Sequence, residues 1–258
     1  CRDRSAQNGR EWREMENVSC FLLLRENAPA LRTPERDVHV ANLQNALMAF
    51  QIIKPLQTSG FTFQAAQMES GMLDLEHIEK RPRMDPGVWA RMRTFDAPLL
   101  SQVPDMISRV NRVMGGSDSQ KKNALYFFQL ALEHSHPYVA ALLAVAGMEA
   151  IFDSSNRNNF KKRLCDCVGS SARAFPDWNS PGTPPPKFTA EGLAIHLYTL
   201  RSKIAHGINL RDAAKDKSAP VNLLELVELI PDFEKPTHAM LLCESSIYLL
   251  AEVLKRVL

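Results

Sequence analysis

Apolar residues recur at helical spacing through most of the chain after residue 97. Capping residues, glycines and prolines divide this part into successive segments that we predict to be helices. The segment Tyr138–Phe152 is apolar almost all round, which predicts a central and buried helix. We therefore expect an all-α C-terminal domain over residues 98–258, built as a helical bundle. The predicted helices include residues 99–114, 117–133, 138–152, 189–206 and 236–258.

The first 97 residues have a weaker pattern of apolar and polar positions. Asp37 is a suitable N-cap for a helix that reaches about Ile53. A short strand-like stretch follows, and we expect no strand after Phe63 because the pattern there becomes irregular. We interpret residues 1–97 as an N-terminal region of helical or mixed structure that packs on the domain formed by residues 98–258.

Composition adds limits on the class of protein. The chain has 258 residues, of which 45% are hydrophobic and 23% charged, so it can bury a substantial core. The net charge of +2 creates no strong field, and binding of nucleic acid therefore requires a local basic patch. No apolar run approaches the roughly 20 residues of a membrane span, so we expect no membrane partner. The chain starts with Cys1 rather than Met, and we expect it to be a fragment.

Cysteines and sequence motifs argue against several kinds of chemistry. Five scattered cysteines, an odd number, indicate a reducing, cytoplasmic compartment rather than a disulfide framework. Cys165 and Cys167 are two positions apart, which on a helix separates them by about 200° and prevents a shared metal. The sequence contains no H-E-x-x-H, C-x-x-C, P-loop or G-x-S-x-G pattern. We expect neither a metal nor another cofactor.

The stretch Leu197–Gly207 is the most informative segment for function. It resembles the end of an amphipathic helix that stops at Gly207, a residue suited to the position after a helix. Arg201 then lies near the helix end with a planar fork that matches phosphate, and His206 adds a group that transfers protons near neutral pH. These two groups suffice to cleave RNA without a metal. The apolar stripe that supports them consists of Leu193, Leu197, Leu200 and Ile204.

Spacing alone does not identify a site, because Arg32 and His39 have a similar separation. The structural alternative for Arg201 and His206 is an ion pair together with a histidine that caps carbonyl groups at the helix C-terminus, where cations are favoured. Only the apolar helix and the glycine that ends it distinguish Arg201 and His206 from the pair Arg32 and His39.

Three segments of the chain resemble a known family. Arg201–Gly207 (RSKIAHG) is similar to the R-x4-6-H motif of HEPN domains, and the surrounding L-Y-x-L-R-S-x-I-x-H-G resembles their ApeA-like branch. Ala140–Phe152 (AALLAVAGMEAIF) resembles the buried helix of that branch, with Glu149 at its acidic position. Glu244–Leu258 (ESSIYLLAEVLKRVL) resembles its closing helix. The likeness is confined to the C-terminal part of the chain.

The resemblance implies a HEPN-like helical bundle that acts as a metal-independent endoribonuclease in defence against phage or foreign nucleic acid. The RNA 2′-OH would attack the adjacent phosphate, with His206 as general acid or base and Arg201 stabilising the charge. It further implies a homodimer in which two such sites meet. Ser202 departs from the Asn, Asp or His common after the arginine in this family, although it retains a polar group. The alternative is a non-catalytic HEPN module for dimerisation or ligand binding.

Two further features complete the candidate site. Glu149 is the one charge on its apolar helix, and it either pairs with Arg201 or lies on an exposed flank. A basic run follows that helix, with an inner apolar face formed by Phe160, Leu164 and Val168. It is either a solvated surface or a patch that follows the phosphate backbone of RNA. The candidate RNA-binding residues are Arg157, Lys161, Lys162 and Arg163.

Overall fold

The computed structural model describes residues 34–55, 61–67, 73–80, 97–134, 136–154, 156–174, 189–206 and 238–258. In chain order its elements are α1 (Pro34–Ile53), β1 (Phe61–Gln67), β2 (Leu73–Lys80), α2 (Ala97–Gly115), α3 (Ser119–Glu133), α4 (Pro137–Phe152), α5 (Arg157–Val168), α6 (Ala190–Ala205) and α7 (His238–Val257). The all-α prediction for residues 98–258 is confirmed over the described part. Strand-like pairing there is limited to an isolated bridge between Arg173 and Thr189.

The two strands form an antiparallel hairpin in the N-terminal region. The prediction of no strand after Phe63 is therefore wrong, since β1 continues to Gln67 and β2 follows. The physical reason is a bulge, because the register shifts between Gln64 and Ala65. A bulge interrupts the strict alternation that identifies a strand in a sequence.

Helix α1 belongs to the same hydrophobic core as the C-terminal helices. It packs against α2 and also contacts α7. Asn45 in α1 donates a side-chain hydrogen bond to Asn111 in α2 at 2.9 Å. Part of the N-terminal region is thus built into the bundle, while the proposed boundary at residue 97 remains a prediction. The buried hydrophobic residues of α1 are Ala46, Met48, Ala49, Ile52 and Ile53.

Helix α4 lies at the centre of the bundle, as its apolar pattern predicts. It packs closely on α3 and α7 and also contacts α5 and α6. Its first turn uses Pro137, whose missing N–H costs nothing at that position. At Gly147 the neighbouring helices come so near that a Cβ atom would lie 2.8 Å from Leu250 Cδ2 and 3.2 Å from Phe127 Cβ. Glycine therefore allows α3 and α7 to approach α4 at this level.

Helices α5 and α6 run in opposite directions beside α4. At one end, the N–H of Ala190 donates to the carbonyl oxygen of Ala172 at 2.8 Å. At the other, the ring of Phe160 lies 5.4 Å from that of Tyr198 and 6.0 Å from that of Phe152, measured between centroids. Phe160 therefore joins the end of α4, the start of α5 and the last turns of α6. Among the helices described, none alone has both the length and the apolarity needed to cross a membrane.

Candidate functional site at the end of helix α6

The candidate site is supported by a helix whose inner face is buried up to its last turn. The Thr189 side chain caps α6 by accepting the N–H of Gly192 at 3.2 Å. Leu193 and Leu197 have no exposed surface, Leu200 is buried and Ile204 is half-buried. The predicted stripe is thus present and fixes the orientation of α6. Gly207, predicted as the stop, lies outside the described residues, and the helix ends at Ala205.

His206 follows the last helical residue and is exposed. Its backbone N–H donates to the carbonyl oxygen of Ser202 at 3.1 Å, which closes the final turn. Ser202 itself is half-buried. The imidazole is consequently attached to an ordered helix end and open to a ligand from solution.

Arg201 forms an ion pair with Glu149. The Arg201 Nε and Glu149 Oε2 atoms lie 2.7 Å apart, and the side chains are 34% and 13% exposed. Of the two alternatives for Glu149, the structure has the pair with Arg201 rather than an isolated carboxylate on an exposed flank. The pair also ties α6 to the last turn of α4. An arginine has five N–H donors, so a contact through Nε leaves others for an anion.

Burial and charge act in opposite directions on Glu149. Burial raises the pKa of its carboxyl above the ordinary value, because the apolar surroundings disfavour the charged form. The positive charge of Arg201 lowers the same pKa without cancelling the effect of burial. Arg201 therefore favours the ionised form of Glu149, and the ion pair in turn holds the Arg201 side chain in one direction.

Of the four candidate RNA-binding residues of α5, one forms an ion pair with α6 and the other three are exposed. The inner apolar face of the same helix is buried, as predicted, and consists of Phe160, Leu164 and Val168. Lys161 Nζ lies 2.9 Å from Glu191 Oε1 and so ties α5 to the first turn of α6. This contact was missed in the sequence because the two residues are 30 positions apart and share no element. The other candidate RNA-binding residues, Arg157, Lys162 and Arg163, are exposed.

Other ligating groups are dispersed. Within the described ranges, no three side chains of His, Cys, Asp or Glu come together as a metal site. Cys165, Cys167 and Cys243 are free thiols, and burial raises the pKa of each. A raised pKa disfavours the reactive thiolate form. The described cysteines therefore offer no activated nucleophile.

Glu244 is a buried acid that sequence reasoning did not single out. Glu244 is only 1% exposed. Neither of its carboxylate oxygens has a hydrogen-bond partner among the residues that the structure describes. Burial raises its pKa well above the ordinary value. The available signal was its place in a strongly apolar helix, between Cys243 and Ile247, both of which are buried.

Comparison of the chain with family models, with curated proteins and with solved structures finds no significant match.

Proposed function

We propose that this chain is a metal-independent endoribonuclease of the HEPN type, with Arg201 and His206 as its catalytic residues. The observation that supports this function best is the Glu149–Arg201 ion pair near the end of α6, the helix that exposed His206 follows directly. It holds an arginine in a defined direction at a helix end where a proton-transfer group is also present. Ser202 and Glu149 act as supporting residues. The family assignment and the role in defence against phage or foreign nucleic acid rest on the resemblance of the sequence.

The proposed reaction uses only groups of the protein and of RNA. A base removes the proton from a ribose 2′-OH, whose oxygen attacks the adjacent phosphorus atom. The bond to the 5′ oxygen of the next nucleotide breaks, and that oxygen receives a proton. His206 performs one of these transfers, while Arg201 stabilises the negative charge that grows on the phosphoryl oxygens.

A homodimer completes this scheme. One histidine cannot act as base and as acid in the same concerted step, whereas two copies of His206 at a shared cleft provide both groups. We therefore propose that the α6 ends of two protomers face each other across one substrate phosphate. Light scattering at micromolar concentration should report a dimer. A monomer that still cleaves RNA would contradict this arrangement.

The test of the nuclease activity compares RNA with DNA of the same sequence, each incubated with and without EDTA. RNA should be cleaved in both conditions, because no step uses a metal ion. DNA should remain intact, because it lacks the 2′-OH that acts as nucleophile. Cleavage of both polymers, or loss of cleavage in EDTA, would contradict the mechanism.

The alternative function is a non-catalytic HEPN module for dimerisation or ligand binding. The observation that favours it is the same ion pair, because Arg201 already has an anionic partner at 2.7 Å and so fulfils a structural role. A wild-type protein that forms dimers but leaves structured and unstructured RNA intact would support this alternative.

A further inference from the structure

The antiparallel packing of α5 and α6 places a second arginine at the same end as Arg201. Phe160 and Tyr198 make the ring contact between the two helices. Arg157 precedes Phe160 by three residues, and Arg201 follows Tyr198 by three. Since the helices run in opposite directions, both arginines are displaced from that contact by about 4.5 Å along their helices, toward the same end.

Two basic residues of α5, Lys161 and Arg157, lie on the side of the helix that faces α6, about 40° apart, and Arg157 is the one near the end at which Arg201 lies. At about 100° per residue, it lies within about 60° of Phe160 on the side that faces α6. It is nevertheless exposed. Lys162, by the same geometry, is about 160° from Phe160, on the outer surface. Lys161 contacts Glu191, near the opposite end of α6.

We propose that Arg157 is a further RNA-binding residue, which holds the phosphate next to the one contacted by Arg201. Arginine suits this task because its planar fork binds two phosphoryl oxygens at once. The ligand is single-stranded RNA, whose backbone places consecutive phosphates along one edge of the α5–α6 pair. The choice of RNA rests on the proposed function, whereas the position of Arg157 rests on the packing of the two helices.

A negative charge at the same end limits the strength of this contact. Asp153 caps the C-terminus of α4 with φ of 48° and is exposed. It lies three residues before Asn156, which caps the start of α5. Repulsion between Asp153 and phosphate opposes binding, so Asp153→Asn should strengthen it while Arg157→Gln weakens it.

The experiment measures binding of a single-stranded RNA oligonucleotide in EDTA over a series of salt concentrations. All variants carry His206→Ala, so that the probe stays intact. Arg157→Gln should lower the affinity several-fold at low salt and reduce the slope of log K against log salt by about 0.7, the value for one lost phosphate contact on a single strand. Arg157→Lys should retain most of the slope, because it keeps the charge.

Arg112→Gln is the matched control. Arg112 is an exposed arginine in the last turn of α2, and its replacement removes the same charge. It should leave the affinity and the slope within error of the parent protein. Equal effects of Arg157→Gln and Arg112→Gln would overturn the proposal, since binding would then depend on overall charge alone.

The outcome separates this inference from the nuclease function. RNA binding that depends on Arg157, in a wild-type protein that cleaves no RNA, supports the contact and contradicts the nuclease. Cleavage by the wild-type protein together with unchanged binding by Arg157→Gln supports the nuclease and overturns the contact. Absence of any RNA binding by the wild-type protein overturns both.

Discussion

The chain places two glutamates on largely apolar helices, and their surroundings differ. Glu149 lies near the end of α4, where its carboxylate reaches the edge of the bundle and contacts Arg201 at 2.7 Å. Glu244 lies in α7, is only 1% exposed and has no hydrogen-bond partner for its oxygens among the described residues. Burial raises the pKa of both carboxyls, and among the described residues a positive charge opposes that effect at Glu149 but not at Glu244.

The contrast shows two ways in which a protein avoids the free-energy cost of burying a charged carboxylate in an apolar environment. A carboxylate in such surroundings requires a partner, or it retains its proton. Glu149 has Arg201 as its charged partner, and the ion pair fixes the direction of that arginine at the surface. Glu244 has no such partner among the described residues, and burial raises its pKa, which favours the protonated form. We therefore expect substitutions at the Glu149 end to change function as well as stability, and substitutions at Glu244 to change stability and its dependence on pH.

The largest expected effect is on activity at the α6 end. His206→Ala should lower RNA cleavage by about 10²–10⁴-fold, because it removes a general acid–base group. The thermal midpoint should change little, since His206 is exposed. Cleavage rates under single-turnover conditions give the measurement. The control is His39→Ala. It should retain full activity, because the pair Arg32 and His39 shares only its spacing with Arg201 and His206. Equal losses in the two variants would mean that the α6 end is not the active site.

The second expected effect is on stability at Glu244. The folded state binds the Glu244 proton more tightly than the unfolded chain, because burial raises the pKa in the folded state only. Stability from this group is therefore complete below the ordinary pKa of 4.5 and is lost as pH rises toward the raised folded-state value. Within that window the loss is about 1.4 kcal/mol per pH unit.

Glu244→Gln should remove this pH dependence, because an amide keeps the shape of the side chain and does not ionise. Urea unfolding between pH 4.5 and 8 should show the variant close to wild type at the acidic end and more stable at the alkaline end. Parallel pH profiles for the two proteins would contradict the prediction, because they would mean that Glu244 ionises at no cost in the fold.

Removal of Arg201 should take away the positive charge that opposes the effect of burial on Glu149. The surroundings of the Glu149 carboxyl would then be more like those of Glu244. In Arg201→Ala the pKa of Glu149 should rise further, since the charge of Arg201 lowers it in the native protein. At pH 7.5 the unpartnered carboxylate should cost about 1–2 kcal/mol of unfolding free energy. The cost should be smaller at pH 5, where the carboxyl takes up a proton more readily.

The matched control combines Arg201→Ala with Glu149→Gln in a double-mutant cycle. The double variant should recover most of the stability at pH 7.5, because no unpaired charge remains. Urea midpoints of the four proteins measure the coupling. A double variant whose loss equals the sum of the two single losses would show that the ion pair contributes nothing.

Sequence patterns predicted the parts of the fold that depend on local periodicity. The nearly all-apolar segment in α4 predicted a central helix, and the stripe at Leu193 and Leu197 predicted the buried face of α6. The hairpin was missed beyond Phe63, since a bulge disrupts the alternation of apolar residues. For the site, the pattern favoured a pair between Glu149 and Arg201, but only tertiary packing could select it over an exposed flank.

The smallest expected effect concerns the ion pair between Lys161 and Glu191. It tests whether the exposure of an ion pair decides how much the pair contributes to the unfolding free energy. Its side chains are 32% and 54% exposed, so water solvates both charges, whereas Glu149 in the pair with Arg201 is only 13% exposed. Exposed pairs typically contribute about 0.2–1 kcal/mol. Lys161→Gln should therefore lower the unfolding free energy by less than Arg201→Ala does. Added salt should reduce the difference between wild type and Lys161→Gln, because it screens exposed charges. A loss as large as that of Arg201→Ala, unaffected by salt, would mean that the contact between α5 and α6 depends on this pair rather than on the packing of Phe160 against Tyr198.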